Sequence, residues 1–151
     1  MKNLVLDVLV DADAATVFRA FTDWRAQGRW MVGTDVRPVV GDGHGVGARL
    51  EAWSGLGRFG FLDTMVITEW DDDRRVVVEH TGNVVRGSGV MEVFGLPHGR
   101  SRFVWSEHLQ PPLGQLGRVG WLILRPAFAA GVEHSLKQFA ALVEAGELGR
   151  N

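Results

Sequence analysis

From Arg118 to Ala145 the chain carries apolar residues at Trp121, Leu124, Phe128, Val132, Leu136, Phe139 and Val143. Steps of three and four residues place these side chains on one face of a helix. Pro126 falls near the front of the segment, so the sequence predicts a kink or a late start there. Gly146 supplies a stop. A helix this long and this apolar along one side needs a cover, and most of the preceding chain reads as strands. The expected arrangement is a sheet curled around the helix, with a small-molecule pocket between the two.

Composition narrows the classes of function. The 151 residues fit one domain, 1–151, with 46% hydrophobic and 23% charged residues, ordinary values for a folded globular chain. A net charge of −2 lacks the basic excess common in nucleic-acid binders, so no nucleic-acid partner is expected. With no cysteine, disulfides, thiolate nucleophiles and cysteine zinc sites are excluded. Met1 to Val10 places Asp7 inside an apolar run and does not read as a secretory signal. No apolar run reaches about 18 residues, so no stable membrane insertion is expected, and a cytoplasmic protein is the simplest expectation. Tyrosine is absent, which removes phenol chemistry. Of twenty glycines, twelve cluster at 41–47, 55–60, 82–89 and 95–99, between strand-like runs, as turns and bulges of a strongly bent sheet require.

Read in order, Leu4 to Val10 is a strand with Leu4, Leu6, Val8 and Val10 on one face. Asp11 or Asp13 can cap a helix that places Val17, Phe18 and Phe21 together, and a second short helix follows over Asp23 to Trp30, weakened by Gly28. Strands are expected over Val36 to Val40, Val46 to Trp53, Phe61 to Trp70, Arg75 to Thr81, Val84 to Phe94 and Arg102 to Leu109. Pro38 favours an edge. In the second of these runs Ala48, Leu50 and Ala52 oppose Arg49, Glu51 and Trp53. Pro111 and Pro112 end the sheet, and Gly114 to Gly120 reads as a flexible approach to the helix. Short links between successive strands imply antiparallel neighbours, hence an α+β fold.

Four stretches resemble a known family: Val8-Leu9-Val10-Asp11-Ala12 followed by Val17-Phe18; Phe21-Thr22-Asp23-Trp24 through Arg29-Trp30-Met31; Thr68-Glu69-Trp70-Asp71 with Arg74-Arg75-Val76; and Ser101-Arg102-Phe103-Val104-Trp105. In these the chain resembles the START-like (SRPBCC) superfamily, and within it the bacterial polyketide cyclase/dehydrase and lipid transport group. The resemblance implies a helix-grip fold. In it, a curved antiparallel sheet of about six or seven strands wraps a long C-terminal helix, with two short helices after the first strand and a cavity inside. Members bind lipids, hormones or polyketides, and some catalyse. The family has no universal catalytic motif to carry over, and a fold that hosts many functions names none of them.

Candidate site residues follow from the strand phases. Phe103, Trp105, Glu107 and Leu109 share a face whose three large apolar members point it inward. Glu107 is a candidate general acid/base or orienting acceptor; the competing reading has it at the strand end, in solvent or paired with Arg118 or Arg125. His80 shares a face with Val76 and Val78 and is the second acid/base candidate, against a partly exposed strand-end histidine. His108 should point to the opposite face, and His44, His98 and His134 should be solvated. Asp42 with His44, and Asp71-Asp72-Asp73, lack metal-site spacing, so no metal is expected, and no cofactor. Gly43 to Ala48 and Gly82 to Gly87 are turns, since neither precedes a helix with the residues a nucleotide loop needs. No Gly-x-Ser-x-Gly phrase occurs, which argues against hydrolase chemistry.

Trp53, Phe61, Met65, Met91, Phe103, Trp105, Phe128 and Phe139 come from segments that should surround the grip. They either fill a core or line a cavity suited to a flat or greasy ligand. From the helix, Phe128, Val132, Ser135 and Phe139 are the positions expected to face it. Ser135 is the one polar contribution, unless its hydroxyl bonds the preceding turn. Three functions stay open on this reading. The first is binding of a small hydrophobic ligand. The second is a cyclase or dehydratase using Glu107 or His80. The third is a protein-interaction domain with a filled core. Exposed edge strands allow a monomer or a homodimer.

Overall fold

A computed structural model describes residues 2–150. Met1 and Asn151, the ends of the expected 1–151 domain, lie outside the described residues. The chain runs through β1 (Lys2–Val10), α1 (Ala14–Phe21) and a 3-10 turn (Trp24–Arg29). Six strands follow: β2 (Thr34–Val40), β3 (Arg49–Leu56), β4 (Phe59–Asp71), β5 (Arg75–Thr81), β6 (Arg86–Leu96) and β7 (Arg100–Gln110). The long helix α2 (Gly114–Glu144) comes last. The seven strands form one antiparallel sheet in the order β1-β7-β6-β5-β4-β3-β2. This is the expected helix-grip architecture, at the upper of the two strand counts.

Local chemistry explains the short elements. Of the two candidate caps, Asp13 starts α1: its backbone is extended and its Oδ1 accepts the Thr16 N–H at 2.8 Å. The bonds from Thr16 hold its carboxyl below the usual range. Val17, Phe18, Ala20 and Phe21 are the buried face of α1. The second short element is a 3-10 turn rather than an α-helix, as expected where Gly28 interrupts a six-residue run. Pro38 lies on β2, an edge strand, next to a register shift between Pro38 and Val40, where its missing N–H breaks no ladder.

The solid core sits under the rear of α2. Phe21 and Phe103 stack at 4.9 Å, Phe103 meets Phe139 at 4.8 Å, and Trp30 meets Phe139 at 4.9 Å. Val132, Leu136, Ala140 and Val143 complete the buried face of the helix. Each large side chain buried here contributes about 1.5–3 kcal/mol. Gly146, with φ +74, ends the helix, and the Glu147 N–H returns to the Leu142 carbonyl at 2.9 Å.

The front of α2 departs from expectation in two ways. It begins at Gly114, not after a flexible approach, and it runs unbroken through Pro126. Pro126 therefore neither starts nor ends the helix, which removes the late start; within it the proline withholds one N–H from the ladder and its ring crowds the preceding turn. The predicted stripe also divides. Val132, Leu136, Phe139 and Val143 are buried and Trp121 is half-buried, whereas Leu124 and Phe128 are exposed. The outward face of the front half is itself apolar, with Leu116 at 79% and Ile123 at 73% exposure. Even so, no helix of the described residues is long and apolar enough to cross a membrane.

Candidate functional site

Sheet and helix do not meet along their whole length. Between the inner face of the sheet and the middle of α2 lies a cavity of about 630 Å³. Leu50, Met65, Val78, Met91 and Trp105 line it from the sheet, Trp121, Phe128 and Val132 from the helix, and Trp24 and Met31 from the segment after α1. The interior is thus not filled, contrary to the expectation attached to a pure interaction domain.

One wall carries charge. The inward phase of β4 brings Asp63 beside Met65 and Ile67, that of β5 brings His80 beside Val78, and that of β7 brings Glu107 beside Trp105. Met65 is the partner of His80 across β4 and β5, so Asp63 lies one inward position along, diagonal to the imidazole. Glu107 reaches His80 over β6, where its register partner is Gly89. A Cβ on Gly89 would stand 3.3 Å from Glu107 Oε2 and 3.2 Å from Val78 Cγ2. The bare glycine therefore leaves the space through which the carboxylate crosses the intervening strand.

His80 Nδ1 is 2.7 Å from Asp63 Oδ2, and His80 Nε2 is 3.4 Å from Glu107 Oε2. Trp105 Nε1 donates to Glu107 Oε1 at 3.1 Å. The three titratable residues are only 7–9% exposed. Burial by itself lowers the pKa of His80. The hydrogen bonds to Asp63 and Glu107, and their charges, outweigh burial and raise it from 6.5 to about 9. At neutral pH the ring is an imidazolium that faces a carboxyl group from each nitrogen. Such a group can move a proton between His80 and Glu107 at the wall of a largely apolar cavity.

The structure separates the sequence candidates. Phe61, Met65, Met91, Trp105, Phe128, Val132, His80 and Glu107 all border the cavity. Trp53 does not: it is 40% exposed on the outward face, where the alternation of Leu50 and Ala52 against Glu51 and Trp53 already put it. Phe103 and Phe139 point inward but lie wholly in the aromatic core, packed on each other and not on the cavity. Ser135 borders the cavity, yet its hydroxyl donates to the Gly131 carbonyl at 2.8 Å and accepts the Val32 N–H at 3.0 Å. It ties the Val32 loop to α2. Glu107 pairs with neither Arg118 nor Arg125; Arg125 donates instead to the Asn3 carbonyl at 3.0 Å.

His108 is half-exposed on the other face, with Nδ1 2.6 Å from Asn3 Oδ1. His44 stacks on Trp70 at 5.3 Å, and His134 is exposed. The Gly43 turn holds Trp24, whose Nε1 donates to the Gly43 carbonyl at 2.7 Å. Asp63 is the functional candidate that sequence reasoning missed. The signal was present, since Asp63 shares its strand phase with Phe61, Met65 and Ile67.

Solved structures share this fold at low identity. A protein of Thermus thermophilus superposes with a TM-score of 0.80 at 16% identity, over 96% of this chain and 99% of that one. The Zhui aromatase/cyclase of a Streptomyces species gives 0.77 at 16% identity, over 95% of this chain and 93% of that one. The di-domain ARO/CYC BexL gives 0.71 at 19% identity, over 95% of this chain and 47% of that one. No curated protein sequence matches the chain. The family model described as polyketide cyclase / dehydrase and lipid transport matches residues 1–144, and together with the helix-grip architecture it shows that the chain belongs to that family.

Proposed function

We propose that the protein binds a small hydrophobic molecule, of lipid, polyketide or aromatic kind, in the cavity between the sheet and α2. The observation that carries this reading is the cavity itself, about 630 Å³ and walled mainly by aliphatic, methionine and aromatic side chains. That is the size and lining of small-molecule sites in general, roughly 300–1,000 Å³. Native mass spectrometry of the protein purified from cells, followed by solvent extraction, tests it. An apolar molecule held in one-to-one ratio is the expected result. Absence of any such molecule, with no binding of a neutral naphthylamine dye, overturns it.

The buried acid–base group favours a second reading, a cyclase or dehydratase of the kind the family description includes. In a dehydration, the Glu107 carboxylate takes a proton from the carbon next to a carbonyl. His80 gives its proton to the β-hydroxyl, which leaves as water as the carbon–carbon double bond forms. The 3.4 Å separation of His80 Nε2 and Glu107 Oε2 lets the proton return from the acid to the ring and reset the pair. Of the two ring contacts the longer, to Glu107, is the weaker, so it yields at less cost when a substrate hydroxyl competes for the Nε2 proton. Loss of turnover in Glu107→Gln with binding retained is the expected signature.

A further inference from the structure

We propose that the ligand of this cavity is an uncharged or cationic amphiphile, an apolar body ending in a hydroxyl or amine that donates a hydrogen bond to the Asp63–His80–Glu107 wall, and not a carboxylate or phosphate. The proposal rests on the ligand-binding reading and narrows it to a class of head group.

Charge decides the class. No lysine and no arginine is among the described residues that line the cavity. An anionic head group drawn inside would find one cation, His80, and both nitrogens of that ring already face carboxylates. It would set a third acid group beside Asp63 and Glu107, in a wall almost wholly buried, where like charges are screened least. Deprotonating His80 would remove even that cation.

Hydrogen-bonding capacity points the same way. Asp63 borders the cavity at 7% exposure, and its Oδ1 has no hydrogen-bond partner. Glu107 has one donor on each oxygen, Trp105 on Oε1 and His80 on Oε2, and each carboxylate oxygen can accept two. This wall therefore has acceptors to spare and no free donor of its own; Trp121 Nε1, an unpaired donor among the cavity-lining residues, lies on α2 and not on the sheet. A hydroxyl or ammonium supplies what it lacks; a carboxylate brings more of what it has.

Decanol, decylamine and decanoate, matched in chain and differing in head group, separate the possibilities. Each is titrated at neutral pH against the intact protein loaded with a neutral naphthylamine dye, and each is checked by calorimetry. Decanol or decylamine should displace the dye at a concentration at least about tenfold below that needed for decanoate. In Glu107→Gln, verified as folded by circular dichroism, the ratio of decylamine to decanoate affinity should shrink. Decanoate binding as tightly as decanol and decylamine overturns the proposal and leaves the cavity reading intact. An unchanged ratio in folded Glu107→Gln overturns the assignment of the head group to this wall. Binding of neither the dye nor any probe removes the cavity reading and the proposal together.

Discussion

His80 and Asp63 stand 2.7 Å apart, ring nitrogen to carboxylate oxygen, on neighbouring strands and almost wholly out of water. The pairing makes stability depend on pH with a definite sign. The folded-state pKa of His80 is raised from 6.5 to about 9, so the folded chain holds this proton more tightly than the unfolded one. The stabilisation is complete below about 6.5 and is lost as pH rises through about 9. Its full size is on the order of 3 kcal/mol. Urea midpoints should therefore fall between about pH 6 and pH 10, and fall much less in His80→Asn. Equal slopes in the two proteins would show that the ring is not held as an imidazolium.

Removing one partner tests the cause of that shift. Asp63→Ala leaves a buried imidazolium with only the 3.4 Å contact to Glu107. The desolvation that Asp63 offsets is then exposed, so the His80 pKa should drop by at least about one unit and stability by about 3–5 kcal/mol. An NMR titration of the His80 ring reads the first, and chemical denaturation the second. A ring that titrates unchanged in Asp63→Ala would assign the shift to Glu107 alone.

Two glycines on β6 should respond differently to alanine. At Gly89 a Cβ fits only if Glu107 and Val78 give by a few tenths of an ångström. Gly89→Ala should cost about 1 kcal/mol of stability, push Glu107 off His80 and lower the ring pKa. At Gly87 the backbone has φ +116 and a Cβ would overlap the His108 carbonyl oxygen of β7. Gly87→Ala should cost more, about 2 kcal/mol or above, through backbone strain and a broken ladder. Thermal denaturation of both variants, with the His80 titration of the first, checks the contrast.

The same strand phases explain what could be read from residues alone. Alternation placed Glu107 and His80 on inward faces, and it also placed Trp53 outward; grouping Trp53 with the pocket for being aromatic overrode the better signal. Phe103 and Phe139 carry inward phases, but phase alone does not tell a side chain that touches a cavity from one that touches another ring. That distinction depends on where the sheet and helix part company, which is set by the packing of Phe21, Trp30, Phe103 and Phe139 and not by local pattern. Asp63 was legible as inward, yet its partner could be known only once the register joined Met65 to His80. The apolar stripe of the helix called for a curled sheet and a pocket, and the resemblance implied the same; which side chains wall the gap under α2 came from the structure.

Pro126 gives the last test, because the sequence predicted a kink or a late start there and the structure makes it an interior residue of a continuous helix. It is exposed, so it contributes little packing. It removes the N–H that would reach the Leu122 carbonyl, and its ring crowds that same turn. Alanine restores the bond and suits a helix interior better by about 3 kcal/mol, while the freer unfolded chain takes back about 0.4–1 kcal/mol. Leu122 is exposed, so solvation of its carbonyl by water trims the gain further. Pro126→Ala should therefore stabilise the protein by about 1–2 kcal/mol, read as a higher urea midpoint with an unchanged slope. A loss of stability would mean that the proline sets a bend on which the packing of α2 against the sheet depends.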